Sequence, residues 1–173
     1  MDLTFSSDAV VVVAGVPGAG KTTLIRRAVD REAVRVVDTD DRARRGPLLY
    51  PGHYARIVAA VLGRRPVVVH SRGTHPAARR TIALLARLRG RPAHLVMLDA
   101  ARHEAESGQR ARGRTVAARE MDRQVARWRR LMARRPGGEG WASVVVLDRA
   151  QAARTTAFVF RAAVEPLPAT ATM

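Results

Sequence analysis

Apolar positions along this chain fall into two rhythms. Short apolar runs have the length of strands: "DAVVVVAG" (8–15), "PVVVHS" (66–71), "PAHLVMLDA" (92–100) and "ASVVVLDR" (142–149), while "AVRVVDTD" (33–40) alternates and ends in acids, which suggests a further strand. Between them the spacing turns helical. "KTTLIRRAVDRE" (21–32) puts Leu24, Ile25, Ala28 and Val29 on one face, and "YARIVAAVLGR" (54–64) stops at Gly63. "HPAARRTIALLARLRG" (75–90) has proline near its start and glycine at its end. "AAREMDRQVARWRRLMARR" (117–135) lines up Met121, Val125, Trp128 and Met132, a stripe that reads as core packing. A last helix is expected over 150–164 and a frayed tail over 166–173. "RRGPLLYPGHY" (44–54) and "PGGEGW" (136–141) read as loops, and 101–117 reads as an arginine-dense segment broken at Gly108 and Gly113. Five strands alternating with helices predict one α/β domain over 1–165, a parallel sheet with helices on both faces.

The first strand runs into Gly15-Val16-Pro17-Gly18-Ala19-Gly20-Lys21-Thr22-Thr23, which fits G-x-x-x-x-G-K-[ST]. The chemistry explains the residue types. Glycines let backbone N–H groups close on phosphate oxygens, and the helix that follows aims its positive end at the same anion. Lys21 supplies a compact charge to the β- and γ-phosphates, and Thr22 offers a hydroxyl to Mg²⁺. At this chain's own residue frequencies a chance match is expected roughly 5 times in 10,000 sequences. ATP with Mg²⁺ is the expected cofactor pair.

Ligands of open α/β sheets bind at the carboxyl edge, so the other strand ends decide what the phosphate does. After the second strand stands "DTDDRAR" (38–44). A carboxylate there can orient an acceptor hydroxyl and take its proton; Asp40 is the first choice, with Asp38 and Asp41 as alternatives and Arg44 as an acceptor or phosphate contact. In "SGQRARGR" (107–114), Arg110, Arg112 and Arg114 are placed to close over the triphosphate as a lid. The third strand ends at His70, where many phosphate-loop proteins carry the aspartate that holds Mg²⁺ through water. Mg²⁺ prefers oxygen donors, so Thr22, ATP and water are expected to hold it, helped by Asp38 or Asp40. His70 reads as a satisfied histidine in preference to a catalytic one. Arg72, just beyond, is a candidate acceptor contact.

Composition narrows the partners less than it first suggests. The net charge is +16, and of 31 Lys+Arg residues only Lys21 is lysine. A basic surface attracts polyanions, so nucleic acid is a candidate partner; arginine spread along the whole chain is also what compositional drift alone produces. Aromatics are 4%, poor for base stacking. There is no cysteine, hence no disulfide and no thiolate metal site. No apolar run approaches the ~20 residues of a membrane span, and the first residues lack a basic segment followed by an apolar one, so a cytoplasmic location is expected.

"GVPGAGKTTL", "DTDDRAR", "VVVHSRGTHPAARR", "LVMLDA" and "RARGR" occur in the order found in small P-loop kinases. The chain resembles the group that includes 5′-hydroxyl polynucleotide kinase domains, zeta-toxin-like kinases and chloramphenicol phosphotransferase, over roughly residues 9 to 149. The resemblance implies the P-loop NTPase fold, a strand order 2-3-1-4-5 counted over the five expected strands, an ATP donor and a hydroxyl acceptor. It also implies phosphate and Mg²⁺ contacts from Gly15 to Thr23, Asp40 as base, lid arginines from Arg110 to Arg114, and an adenine border at Asp148, Arg149 and Ala150. Two departures stand out. The polynucleotide kinases have Arg three residues after the base, a spacing that Asp41 and Arg44 match and Asp40 does not. The segment that often reads Asp-x-Thr-Asn is His-Ser-Arg-Gly here. A kinase acting on a hydroxyl is the first reading. A nucleotide-gated P-loop ATPase that binds nucleic acid without a kinase acceptor is the second, and a GTPase comes last, because no N-K-x-D guanine reader is present.

Overall fold

A computed structural model describes residues 1–38, 49–71, 76–111, 113, 116–134 and 136–162. Its centre is β2 (Val10–Gly15), which is buried along its whole length and paired on both sides. An uninterrupted apolar strand needs cover on both faces, and parallel sheets provide it. β2 lies between β4 (Val67–His70) and β5 (Ala93–Leu98), with β3 (Arg35–Val37) and β6 (Ser143–Leu147) at the edges. All four pairings are parallel, and the order β3-β4-β2-β5-β6 is the expected 2-3-1-4-5 once an additional first strand is counted. Val13 stands opposite His70 and Gly15 opposite Leu98, so the phosphate loop leaves the sheet level with the ends of both neighbours.

The helices are α1 (Lys21–Ala28), α2 (Leu49–Leu62), α3 (Pro76–Leu88), α4 (Arg102–Arg110), α5 (Ala118–Ala133) and α6 (Arg149–Arg154), with a 3-10 turn at Pro136–Glu139. α2 begins inside the stretch expected to be a loop; Pro51 falls in its first turn, where proline has no intrahelical bond to lose. α4 runs through Gly108, where a break was expected. α6 starts on a reciprocal cap between Asp148 and Gln151, whose backbone N–H lies 2.6 Å from Asp148 Oδ1.

The expected helix over 150–164 is corrected. It ends at Arg154, and Phe158–Arg161 forms β7, paired parallel with β1 (Leu3–Ser6). "FVFR" has aromatic and β-branched residues that suit a strand, and Phe5 supplies their partner. The Phe5 ring lies 5.5 Å from both Phe158 and Phe160 and 5.0 Å from His94 near the start of β5, so this small sheet covers the amino-terminal end of the large one. His94 also bonds Ser143 Oγ at 2.8 Å, and burial pushes its imidazole below the usual histidine range.

Arg91 has a purely structural task. Its guanidinium donates to the carbonyls of Ala60, Val61 and Gly63 at the end of α2, and to those of Arg65 and Asp8. These five carbonyls, the Ala60 one shared with the Gly63 N–H, are met by one planar fork. Burial lowers its pKa, with Asp8 opposing and Arg89 adding to the shift. Among the described residues no helix is long and apolar enough to cross a membrane.

Candidate active site

The phosphate loop is built at the carboxyl end of β2. Gly18 and Gly20 take left-handed backbone angles, φ 87° and 96°, and Gly20 is the N-cap of α1. Lys21 is buried at 6% exposure, and its ammonium donates to the carbonyls of Gly15 and Val16, both at 2.9 Å. Two of its three donors thus pin the charge to the inside of the turn, beside the positive end of α1. Thr22 is buried in the first turn of the same helix, with Thr23 next to it exposed. Glycine turn, helix start, ammonium and hydroxyl are the donor set that a nucleotide phosphate and its Mg²⁺ require.

α4 lies directly on this loop. A Cβ on Gly18 would run into the carbonyl oxygen of Ala105, and one on Gly108 into the carbonyl oxygen of Gly18. Gly108 therefore serves close approach, inside a helix that runs unbroken through it. Arg110 is exposed in the last turn of α4, on the helix that abuts the phosphate loop. Arg149, expected near adenine, donates from Nη1 to the Glu104 carbonyl at 2.9 Å and ties the start of α6 to α4.

On the other side of the loop, Asp38 follows β3 and His70 closes β4. Their side chains meet, Nδ1 to Oδ1 at 2.5 Å, with Asp38 at 1% exposure and its carbonyl taking a bond from Arg56 at 3.1 Å. His70 is satisfied, as expected, and its partner is the carboxylate that was a candidate for Mg²⁺. Asp99 was missed by the sequence reading. It follows β5 directly and accepts from the Trp128 indole at 2.9 Å, which fixes α5 at the level of the loop. Only the aspartate at a strand end signalled it. The buried pair of Arg79 and Glu139, 2.8 Å apart, escaped as well. Burial works against the Glu139 carboxylate but is outweighed by the Arg79, Trp141 and Arg80 contacts, which hold it below the usual range.

The remaining candidates, Asp40, Asp41, Arg44, Arg72, Arg112 and Arg114, lie outside the described residues. Among the described residues no three of His, Cys, Asp and Glu gather as a metal site.

Comparison with known proteins agrees with this geometry. The profile of the AAA_33 family, described as an AAA domain, matches residues 10–136, which span the sheet from β2 to the end of α5. The chain belongs to the AAA_33 family. No curated protein matches the sequence. Among solved structures, this AAA_33 chain is similar to a gluconokinase from Sinorhizobium meliloti 1021, at 20% identity and a TM-score of 0.61 over 85% of this chain and 86% of that one. It is also similar to a structure from the PezAT toxin–antitoxin system of Streptococcus pneumoniae, at 11% identity and 0.61 over 87% and 71%. A third is Kti12 of Chaetomium thermophilum, solved with ADP-AlF3, at 20% identity and 0.55 over 85% and 95%. At these identities the likeness is one of fold, the P-loop α/β fold with a parallel five-stranded sheet.

Proposed function

We propose that this protein is an ATP- and Mg²⁺-dependent kinase that transfers the γ-phosphate to a hydroxyl, on a small molecule or a nucleic-acid 5′ end. The observation that carries the reading is Lys21, held inside the phosphate turn by the Gly15 and Val16 carbonyls, under a helix that ends in Arg110. The fold's relatives support it, since one is named a gluconokinase and another was solved with ADP-AlF3. The narrower resemblance to polynucleotide, zeta-toxin-like and chloramphenicol kinases is part of this reading, and ATP dependence goes with a cytoplasmic location.

In this mechanism the backbone from Gly15 to Thr23 and the Lys21 ammonium bind the phosphates, and Arg110, Arg112 and Arg114 stabilise charge on the transferring group. Thr22 and Asp38 would hold Mg²⁺, which would offset the negative charge of the triphosphate. Asp40 accepts the proton of the acceptor hydroxyl as that oxygen bonds to the γ-phosphorus. The bond from the γ-phosphorus to the β,γ-bridging oxygen breaks, and ADP leaves. Asp41, Arg44 and Arg72 hold the acceptor, and Arg149 borders the base.

The test is ADP release from ATP and Mg²⁺ across a panel of 5′-hydroxyl oligonucleotides, nucleosides, sugars, aminoglycosides and phenols. Acceptor-dependent ADP is expected with one class. No transfer to any class, with ATP binding intact, overturns the kinase reading. Asp40→Asn is expected to lower kcat by about 10²–10⁴-fold; a loss under about tenfold moves the base to Asp38 or Asp41.

A further inference from the structure

α5 carries a single-signed ridge that the site does not use. Arg119, Arg123, Arg127 and Arg130, with Arg134 at the C-cap, are all exposed. At 100° per residue they fall within an arc of about 80°, and at 1.5 Å per residue they extend over about 22 Å. The helix's buried residues, Met121, Gln124, Trp128 and Leu131, lie on the opposite side against the core. Among the described residues Arg119, Arg127, Arg130 and Arg134 have no ion pair, while Arg123 has a long one, 3.5 Å to Glu120. The other acid of the helix, Asp122, points away to Arg102 on α4 at 2.5 Å.

A solvated helix face ordinarily mixes signs. Here each arginine of the ridge is three or four residues from the next, and each like-charged pair at that spacing costs a helix about 0.2–0.5 kcal/mol. A row of phosphates turns that repulsion into attraction. The exposed face between the arginines offers Ala126 and no aromatic or large aliphatic side chain, so it has nothing to insert into a bilayer and nothing to stack on unpaired bases. On the opposite face, Trp128 donates to Asp99 just after β5 and fixes which side of the helix faces the core.

We propose that the α5 ridge docks the sugar–phosphate backbone of duplex nucleic acid without regard to sequence. The contact is made by Arg119, Arg123, Arg127, Arg130 and Arg134 outside the nucleotide site. It stands independently of phosphoryl transfer, because binding needs neither ATP nor turnover.

The experiment is fluorescence anisotropy of the full chain, without nucleotide, against labelled DNA and RNA duplexes and single strands of about 20 nucleotides, from about 50 to about 200 mM salt. Duplex binding with a steep negative salt slope is expected, and the DNA and RNA arms tell which duplex is preferred. A variant with Arg119, Arg127, Arg130 and Arg134 all changed to Gln is expected to lower the magnitude of that slope by roughly 3–4 and affinity at low salt by at least about 30-fold. Its circular dichroism should match the parent and its Tm should not fall, since all four positions are exposed and like-charge repulsion along the helix is relieved. A control with Arg26, Arg35, Arg64 and Arg87 changed to Gln removes the same charge from other exposed positions and should cost less than about threefold. Equal losses in both variants, an unchanged ridge variant, a preference for single strands, or displacement of the duplex by phosphatidylserine vesicles would each overturn the proposal.

Discussion

Gly108 of α4 packs on the carbonyl of Gly18 in the phosphate loop, with no room for a methyl group between them. The two glycines couple α4 to the loop backbone. Gly108→Ala is expected to push α4 away, lowering stability by about 1–3 kcal/mol and weakening nucleotide binding. Gly138→Ala meets nothing within 4 Å and is the control, expected within about 0.5 kcal/mol of the parent. Thermal melts and titration with a fluorescent ATP analogue read both quantities. Full nucleotide affinity in Gly108→Ala would show that α4 and the loop are not coupled.

Lys21 sits where a narrow turn offers two carbonyls to one ammonium. A planar guanidinium is wider and its donors point in a fixed fork. Lys21→Arg is therefore expected to cost about 10²–10³-fold in ATP turnover, the size of losing one transition-state donor. Retained turnover would make the chain's single lysine a compositional accident.

The His70 imidazole Nδ1 meets a nearly inaccessible carboxylate on Asp38 at 2.5 Å. His70→Ala removes that partner and is expected to destabilise the fold by about 1–3 kcal/mol. His70→Asn keeps an N–H at a similar reach and should recover most of the loss. Denaturant melts of the two variants check the order, and equal losses would count against the contact.

Arg91 closes the end of α2 on three carbonyls and reaches two more from neighbouring loops. Arg91→Ala removes a donor from all five carbonyls and is expected to cost about 3–4 kcal/mol. Arg91→Lys should restore little, since a point charge cannot span them. A Tm for Arg91→Lys equal to that of the parent would remove the bonding pattern as the explanation.

His94 has its pKa pushed down by burial. The unfolded chain then binds the proton more readily than the folded one. The stability it contributes is complete above the unfolded value of about 6.5 and falls as pH drops through the folded value. His94→Gln is expected to flatten stability between about pH 7 and pH 5 relative to the parent. Chemical melts at a series of pH values decide it; an unchanged slope would assign the acid sensitivity to other groups.

Apolar runs marked β2, β4 and β5 most clearly, because a strand buried on both faces has no polar positions to blur its run, whereas the edge strands β3 and β6 are partly exposed. Trp128 was legible as a core residue of α5, but its bond to Asp99 was not, since indole and carboxylate are 29 residues apart. Pairing β1 with β7 depends on contacts between the two ends of the chain, and local spacing over 150–164 fitted a helix as far as it could be read. Arg91 was invisible among thirty arginines of the same type, since burial is not written in a residue's name.

Sequence by itself determined the phosphate loop. Its glycines, Lys21 and Thr22 are consecutive, so backbone geometry and charge arrive together in one turn of chain. Tertiary structure alone decided what surrounds that turn. Gly108 lies on Gly18 and Asp38 meets His70, because each of these pairings depends on how elements pack. Charge and hydrogen-bonding capacity belong to residues; the direction in which they point belongs to the fold.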